Sequence, residues 1–181
     1  SYEKERSYGL RLNTLKCADV SAIKEYNLRS VEWCKDGYYY VADERPGKSV
    51  LHEGGAFYIQ EPSAMSVVES MDIREGDAVL DLCAAPGGKS SQIACKLDGT
   101  GILISNEIVQ SRAKILSQNI ERMGVRNCVV LNESPDRLSS RFESMFDRIL
   151  VDAPCSGEGM FRKNPLAVGE WSEQNVEACK K

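Results

Sequence analysis

The chain predicts an α/β protein: a parallel, doubly wound sheet preceded by a small α+β unit. Three observations carry this. Short apolar runs recur at 78–82, 101–106, 128–131 and 148–152, as in strands buried on both faces. Apolar residues at helical spacing fill the gaps at 88–97 and 109–123, the alternation that builds a parallel sheet. Before residue 61 that regularity is absent, and shorter, mixed signals replace it.

In order along the chain, Leu10, Leu12 and Leu15 suggest a short strand, and Ser21 to Tyr26 a short helix opened by a serine cap. Gly37-Tyr-Tyr-Tyr-Val41 reads as a strand, followed by the turn residues Arg45-Pro-Gly47. Pro62 stands near the start of a helix over 61–71, where its fixed φ and missing N–H do no harm. Ala78 to Leu82 is the first strand of the regular part, and a glycine turn leads into the helix at 88–97. Gly101 to Asn106 is the second strand, and the helix after it ends at Gly124. Cys128 to Leu131 and Arg148 to Asp152 are the third and fourth, and Ser172 is positioned to cap a last helix. The expected division is 1–60 for the small unit, with RNA positioning or packing on the sheet as its task, and 61–181 for the larger one.

Right-handed crossovers give these four strands the order 3-2-1-4. The fourth would then form an edge, although its apolar run is written for burial. That mismatch predicts further strands beyond Lys181 and marks the chain as a piece of a longer protein.

Composition narrows the classes. The 181 residues are 42% hydrophobic and 28% charged, ordinary globular values, and no apolar run approaches the roughly 20 residues of a membrane span. Seven cysteines (17, 34, 83, 95, 128, 155 and 179) without a CxxC pair, and His52 as the sole histidine, argue against zinc or a disulfide scaffold. Reduced thiols in the cytoplasm are the expectation. The net charge of −4 does not by itself suggest a nucleic-acid partner. Its distribution is uneven: residues 1–60 carry nine Lys/Arg and nine Asp/Glu, and residues 61–181 carry 14 and 18.

Doubly wound sheets bind ligands beyond the carboxyl ends of strands, where strand order reverses. Two glycine- and proline-bearing segments meet there: Asp81-Leu-Cys-Ala-Ala-Pro-Gly-Gly-Lys89 and Asp152-Ala-Pro-Cys-Ser-Gly-Glu-Gly159. Gly87 and Gly88 admit a close backbone approach, and the amides opening the next helix, with Lys89, favour a carboxylate or phosphate. An ordinary strand-to-helix turn could also use the two glycines. Glu107, at the end of the second strand, favours a cofactor site, because an acid there can accept both hydroxyls of a ribose. The missing GxGxxG turns the choice from a dinucleotide to S-adenosylmethionine. In the other segment, Cys155 would be an exposed thiol near Arg162 and Lys163, with Asp152 facing the same crevice. Cys17, Cys95 and Cys128 suit plain burial.

On these residues the sequence resembles the Nop/Sun family of RNA 5-methylcytosine methyltransferases, the bacterial small-subunit ribosomal RNA enzymes most of all. Leu10 to Lys16, Tyr58 to Met65, Asp81 to Ser90 and Asp152 to Pro165 carry the resemblance, which spans essentially the whole chain. It implies a Rossmann-like class I methyltransferase sheet, incomplete at the C-terminus, with a small N-terminal α+β subdomain. It implies S-adenosylmethionine held by Cys83, Ala84, Ala85, Pro86, Gly87, Gly88, Lys89, Glu107 and Arg112, with Asp152 between cofactor and base. Where the family has an acid near the adenine, this chain has Ser134, beside Asn132 and Glu133.

The implied chemistry begins with a thiolate adding to carbon 6 of cytosine, which makes carbon 5 nucleophilic toward a methyl group. Asp152 would stabilise the charge developing at the ring nitrogen. In these RNA enzymes the attacking cysteine follows the next strand in a Thr-Cys segment, and the Pro-Cys residue releases the product. By that analogy Cys155 is the release cysteine and the attacker lies beyond Lys181, Cys179 being poorly placed. DNA cytosine methyltransferases attack with the Pro-Cys residue instead, so both roles stay open for Cys155. The 181-residue piece is expected to bind cofactor weakly and not to methylate. Two rival classes are a non-enzymatic RNA-binding module on a methyltransferase scaffold and a nucleotide-dependent oxidoreductase. The intact loops weigh against the first, and Cys-Ala-Ala-Pro in place of GxGxxG against the second.

Overall fold

The computed structural model describes residues 7–153, 155 and 171–178. Tyr8–Asp152 form one compact unit, and of the other described residues Ser7, Ala153, Cys155 and 171–178 belong to a second.

The larger unit holds two sheets. The first is antiparallel: β1 (Gly9–Leu12), β2 (Arg29–Val31), β3 (Cys34–Tyr39) and β4 (Phe57–Ile59), in the order β2-β3-β1-β4. β1 is central, and all four of its residues are buried. Alternation along the strand divides them. Leu10 and Leu12 join Ile23, Ala56 and Phe57 in an apolar cluster, while Arg11 between them serves a different neighbour, described below. A 3-10 turn at Val20–Ile23 is capped by Asp19, which accepts from the Ser21 amide at 2.7 Å. Two further 3-10 turns and the one-turn helix α1 (Val50–Glu53) connect β3 to β4.

Helix α2 (Pro62–Glu69) leads to the second sheet, which is parallel throughout: β5 (Ala78–Asp81), β6 (Ile102–Asn106), β7 (Cys128–Leu131) and β8 (Arg148–Leu150). Its order is β7-β6-β5-β8, the 3-2-1-4 arrangement that right-handed crossovers predict. Helices α3 (Gly88–Leu97), α4 (Gln110–Arg122) and α5 (Pro135–Arg141) make the connections. Val68 of α2 and Ile93, Ala94 and Leu97 of α3 pack on Val79, Leu103 and Leu150. Leu116 and Ile120 of α4 cover Ala84 and Ala85. Among the described residues β8 pairs only with β5, and Ile149 and Val151 are 56% and 57% exposed. In the second unit, α6 (Glu173–Ala178) begins after Ser172, whose carbonyl accepts the Val176 amide at 3.2 Å.

The differences from expectation lie mostly in the first sixty residues. β2 and β4 are three-residue strands that no local pattern signals, and the expected helix over 21–26 is a shorter 3-10 turn capped by Asp19 rather than by Ser21. The strand expected from Gly37 starts at Cys34, because Cys34 and Met65 pack together. In the parallel part α5 was not anticipated, its seven residues being mostly polar.

Candidate functional site

The carboxyl ends of β5, β6 and β8 lie side by side at one edge of the parallel sheet, where the crevice is expected. The loop after β5 is fixed from behind, carbonyl by carbonyl. The Ala85 oxygen accepts from Arg112 Nη2 at 2.9 Å, and the Pro86 oxygen from Asn119 Nδ2 at 2.8 Å and the Tyr58 hydroxyl at 3.4 Å. The Gly88 oxygen accepts from Arg11 Nη2 at 3.4 Å and Ser91 Oγ at 3.0 Å. With the Ala85, Pro86 and Gly88 carbonyls all taken by protein donors, the amides at the start of α3 are the polar groups this turn has left to offer a ligand. Gly87, at φ +108, is the N-cap, and a Cβ there would stand 3.1 Å from Leu116 Cδ1. A Cβ on Gly88 would stand 3.1 Å from the Tyr58 ring. Gly87 needs glycine for its conformation, and a side chain at either position would press its neighbour by a few tenths of an ångström.

At the end of β6, Glu107 has a side chain only 3% exposed. Its Oε1 accepts from the Val109 amide at 2.9 Å. Its Oε2 is buried without a hydrogen bond, and Arg112 Nη1 lies 3.3 Å away as a charge partner in poor bonding geometry. A buried carboxylate oxygen lacking a donor is costly unless a ligand supplies one. Asn106 and Asn132 build the surrounding turn. The Asn106 amide donates to Leu82 O at 3.1 Å and Glu133 O at 3.0 Å, and Asn132 Nδ2 to Glu107 O at 2.6 Å. Ser134 caps α5, its Oγ accepting from the Arg137 amide at 3.4 Å.

On the β8 side, Lys89 Nζ meets Asp152 Oδ2 at 2.7 Å, the lysine mostly covered and the aspartate more than half exposed. Cys83 sits among these groups. Burial pushes its thiol up, and the charges of Glu107, Asp81 and Asp152 push the same way. The structure thus brings together Cys83 to Lys89, Glu107, Arg112 and Asp152. Cys155 belongs to the second unit and is exposed. Pro154, residues 156–170 and Cys179 lie outside the described residues, and with them Arg162 and Lys163.

Sequence reasoning passed over Asp81 as a titrating group. It is 1% exposed and accepts from Ser90 Oγ at 2.7 Å, and Ser105 Oγ donates to Ser90 at 3.0 Å. Burial pushes its carboxyl up to about 6 from 3.8; Ser90 and Lys89 pull against this, and Asp152 adds to it. Between those two values the folded state binds the proton more tightly than the unfolded chain does. Stability from this group is therefore fullest below pH 3.8 and falls as pH rises through 6, by about 3 kcal/mol at most. Asp81→Asn, which can still accept from Ser90, is expected to raise the urea midpoint at pH 7.5 and to lose that advantage by pH 4. An equal midpoint change at both pH values would contradict this.

Residues 68–181 match the family model of 16S rRNA methyltransferase RsmB/F, and residues 1–62 that of the N-terminal domain of 16S rRNA methyltransferase RsmF. Ribosomal RNA small subunit methyltransferase F of Vibrio cholerae is 40% identical over 179 residues, covering 93% of this chain and 38% of that protein. The Vibrio vulnificus protein of the same name is 41% identical over 177 residues, covering 92% and 38%. The chain thus spans about two-fifths of the length of these curated relatives. Among solved structures, a methyltransferase homologue from Pyrococcus horikoshii matches with a TM-score of 0.78 at 28% identity, over 93% of this chain and 57% of that one. NSun6 from Pyrococcus horikoshii, solved with SFG, matches with a TM-score of 0.81 over 98% and 70%. At 19% identity, that last likeness speaks for the fold.

Proposed function

The chain belongs to the RsmB/F family of 16S rRNA methyltransferases, and we propose that its crevice binds S-adenosylmethionine within an enzyme that methylates carbon 5 of cytosine in ribosomal RNA. One observation carries the cofactor reading: the buried, donorless Oε2 of Glu107 beside a loop that only glycine fits at Gly87. A ribose hydroxyl would supply the missing donor. Cys83, Ala84, Ala85, Pro86, Gly87, Gly88 and Lys89 would hold the methionine end, the α3 amides taking its carboxylate. Arg112 would keep Glu107 oriented, and Ser134 would stand toward the adenine. Membership of a methyltransferase family supports a methyl donor of this type.

S-adenosylmethionine supplies an electrophilic methyl group on sulfur. The chain's own residues would do the rest on the near side of the base. Asp152, released from Lys89 as cofactor and RNA arrive, would act as an acid, donating a proton to the ring nitrogen as negative charge develops there. Cys155 would act at product release. The setting we propose is cytoplasmic, with RNA as partner. No described helix is long and apolar enough to cross a membrane. Among the described residues, no group of three His, Cys, Asp or Glu could hold a metal ion.

The test is a calorimetric titration of the chain with S-adenosylhomocysteine and, separately, with NAD, alongside transfer of labelled methyl groups to ribosomal RNA by the full-length protein. S-adenosylhomocysteine should bind, NAD should not, and label should reach cytosine. Binding of NAD alone would overturn the reading.

A further inference from the structure

The cofactor loop is held by a residue from the other sheet. Arg11 lies in the central strand β1 of the antiparallel sheet, 2% exposed, one of the largest fully buried side chains in the unit. Its guanidinium extends to the start of α3. Nε donates to Gln60 Oε1 at 3.0 Å, Nη1 to Cys95 Sγ at 3.5 Å, and Nη2 to Ser91 Oγ at 2.7 Å and the Gly88 carbonyl at 3.4 Å. Every one of these partners is uncharged. Buried arginines are usually matched by a carboxylate or phosphate. This one lies along the first two turns of α3, from Gly88 to Cys95, beside a helix end that already carries partial positive charge. A cation there is unfavourable in the free protein, and an anion bound at the α3 amides relieves it.

We propose that Arg11 is a positioning residue for the cofactor's carboxylate end. From β1 it donates to the Gly88 carbonyl, which already points down the helix, and its buried charge raises the positive potential at the amides of Gly88 and Lys89. Tyr58 of β4 assists through the Pro86 carbonyl. The antiparallel sheet is thereby part of the cofactor site without touching the cofactor. This rests on the cofactor reading given above, and the two are separable by choice of ligand.

S-adenosylhomocysteine carries the carboxylate; 5′-methylthioadenosine has the same adenosine and sulfur without it. Both are titrated into the wild-type chain, Arg11→Met and Arg11→Lys, with folding checked by circular dichroism. Arg11→Met should weaken S-adenosylhomocysteine at least tenfold and methylthioadenosine less than twofold. Arg11→Lys, which keeps the charge and loses the fork, should show the same selectivity with a loss of about threefold. A merely structural arginine would weaken both ligands alike, and that result, or no change for either, overturns the proposal. Should Arg11→Met not fold, the ligand selectivity of Arg11→Lys decides. If the wild type binds neither ligand, the cofactor reading falls and this inference falls with it.

Discussion

Gly55→Ala is expected to destabilise the chain by about 4 kcal/mol, a large share of the stability of an ordinary domain. Gly55 has φ +72, a conformation alanine adopts only with strain. A Cβ built there lies 2.1 Å from the Arg122 carbonyl oxygen and 2.9 Å from its carbon. Those are backbone atoms at the end of α4, so no side chain can swing away. The Gly55 carbonyl also accepts from Asn13 Nδ2 at 2.7 Å, and Lys16 bonds the neighbouring Gly54 and Arg122 carbonyls. Displacing Gly55 therefore disturbs the tie between the antiparallel sheet and α4. Gly76→Ala is the control: φ is +87, yet nothing lies within 4 Å of the added carbon. It should cost about 1 kcal/mol, for conformation alone. Urea denaturation of the two variants should give clearly separated midpoints, and coincident curves would refute the steric account.

Glu107→Ala should weaken S-adenosylhomocysteine by roughly a thousandfold, about 4 kcal/mol for two charge-assisted hydrogen bonds to the ribose. Stability should move the other way or not at all. The wild-type protein buries a carboxylate with one oxygen lacking a hydrogen bond, and removing it ends that penalty. Affinity falling without a fall in melting temperature is the signature of a group kept for a ligand. A parallel loss of both would mean that Glu107 mainly holds the β6 turn.

The parallel half of the fold was legible because its signals are local and redundant. Each of β5 to β7 is a short apolar run, two of the helices have clear apolar periodicity, and Gly87, Gly88 and Gly124 punctuate them. Strand order followed from handedness. The antiparallel half resisted reading because its strands are defined by partners distant in sequence. Phe57–Ile59 becomes a strand only because Leu10 to Leu12 lies beside it, in a register no local pattern announces. In the site, Gly87 and Glu107 were visible because residue type and position agreed. The role of Asp81 was not, since its raised pKa comes from burial that only the assembled sheet creates. Arg11 looked like a polar interruption in a leucine strand; its meaning lies 77 residues on, at Gly88.

The seam between the two sheets has a consequence for how such proteins tolerate exchange of parts. It is joined by specific donors and acceptors as well as by apolar packing. Gln60 links Arg11 to Gln92, Gln92 reaches Met65 O and Glu69, and Glu69 takes Lys96 and the Cys34 thiol. Asn13 bonds Gly55 O and Met123 O. A greasy seam would accept many shapes, but each of these groups, if left without its mate, carries a desolvation penalty. Chimeras that graft the first sixty residues of one relative onto the remainder of another should therefore succeed or fail by whether positions 11, 13, 60 and 92 travel as a matched set. The two sheets are heritable as one piece, however separable they look on paper.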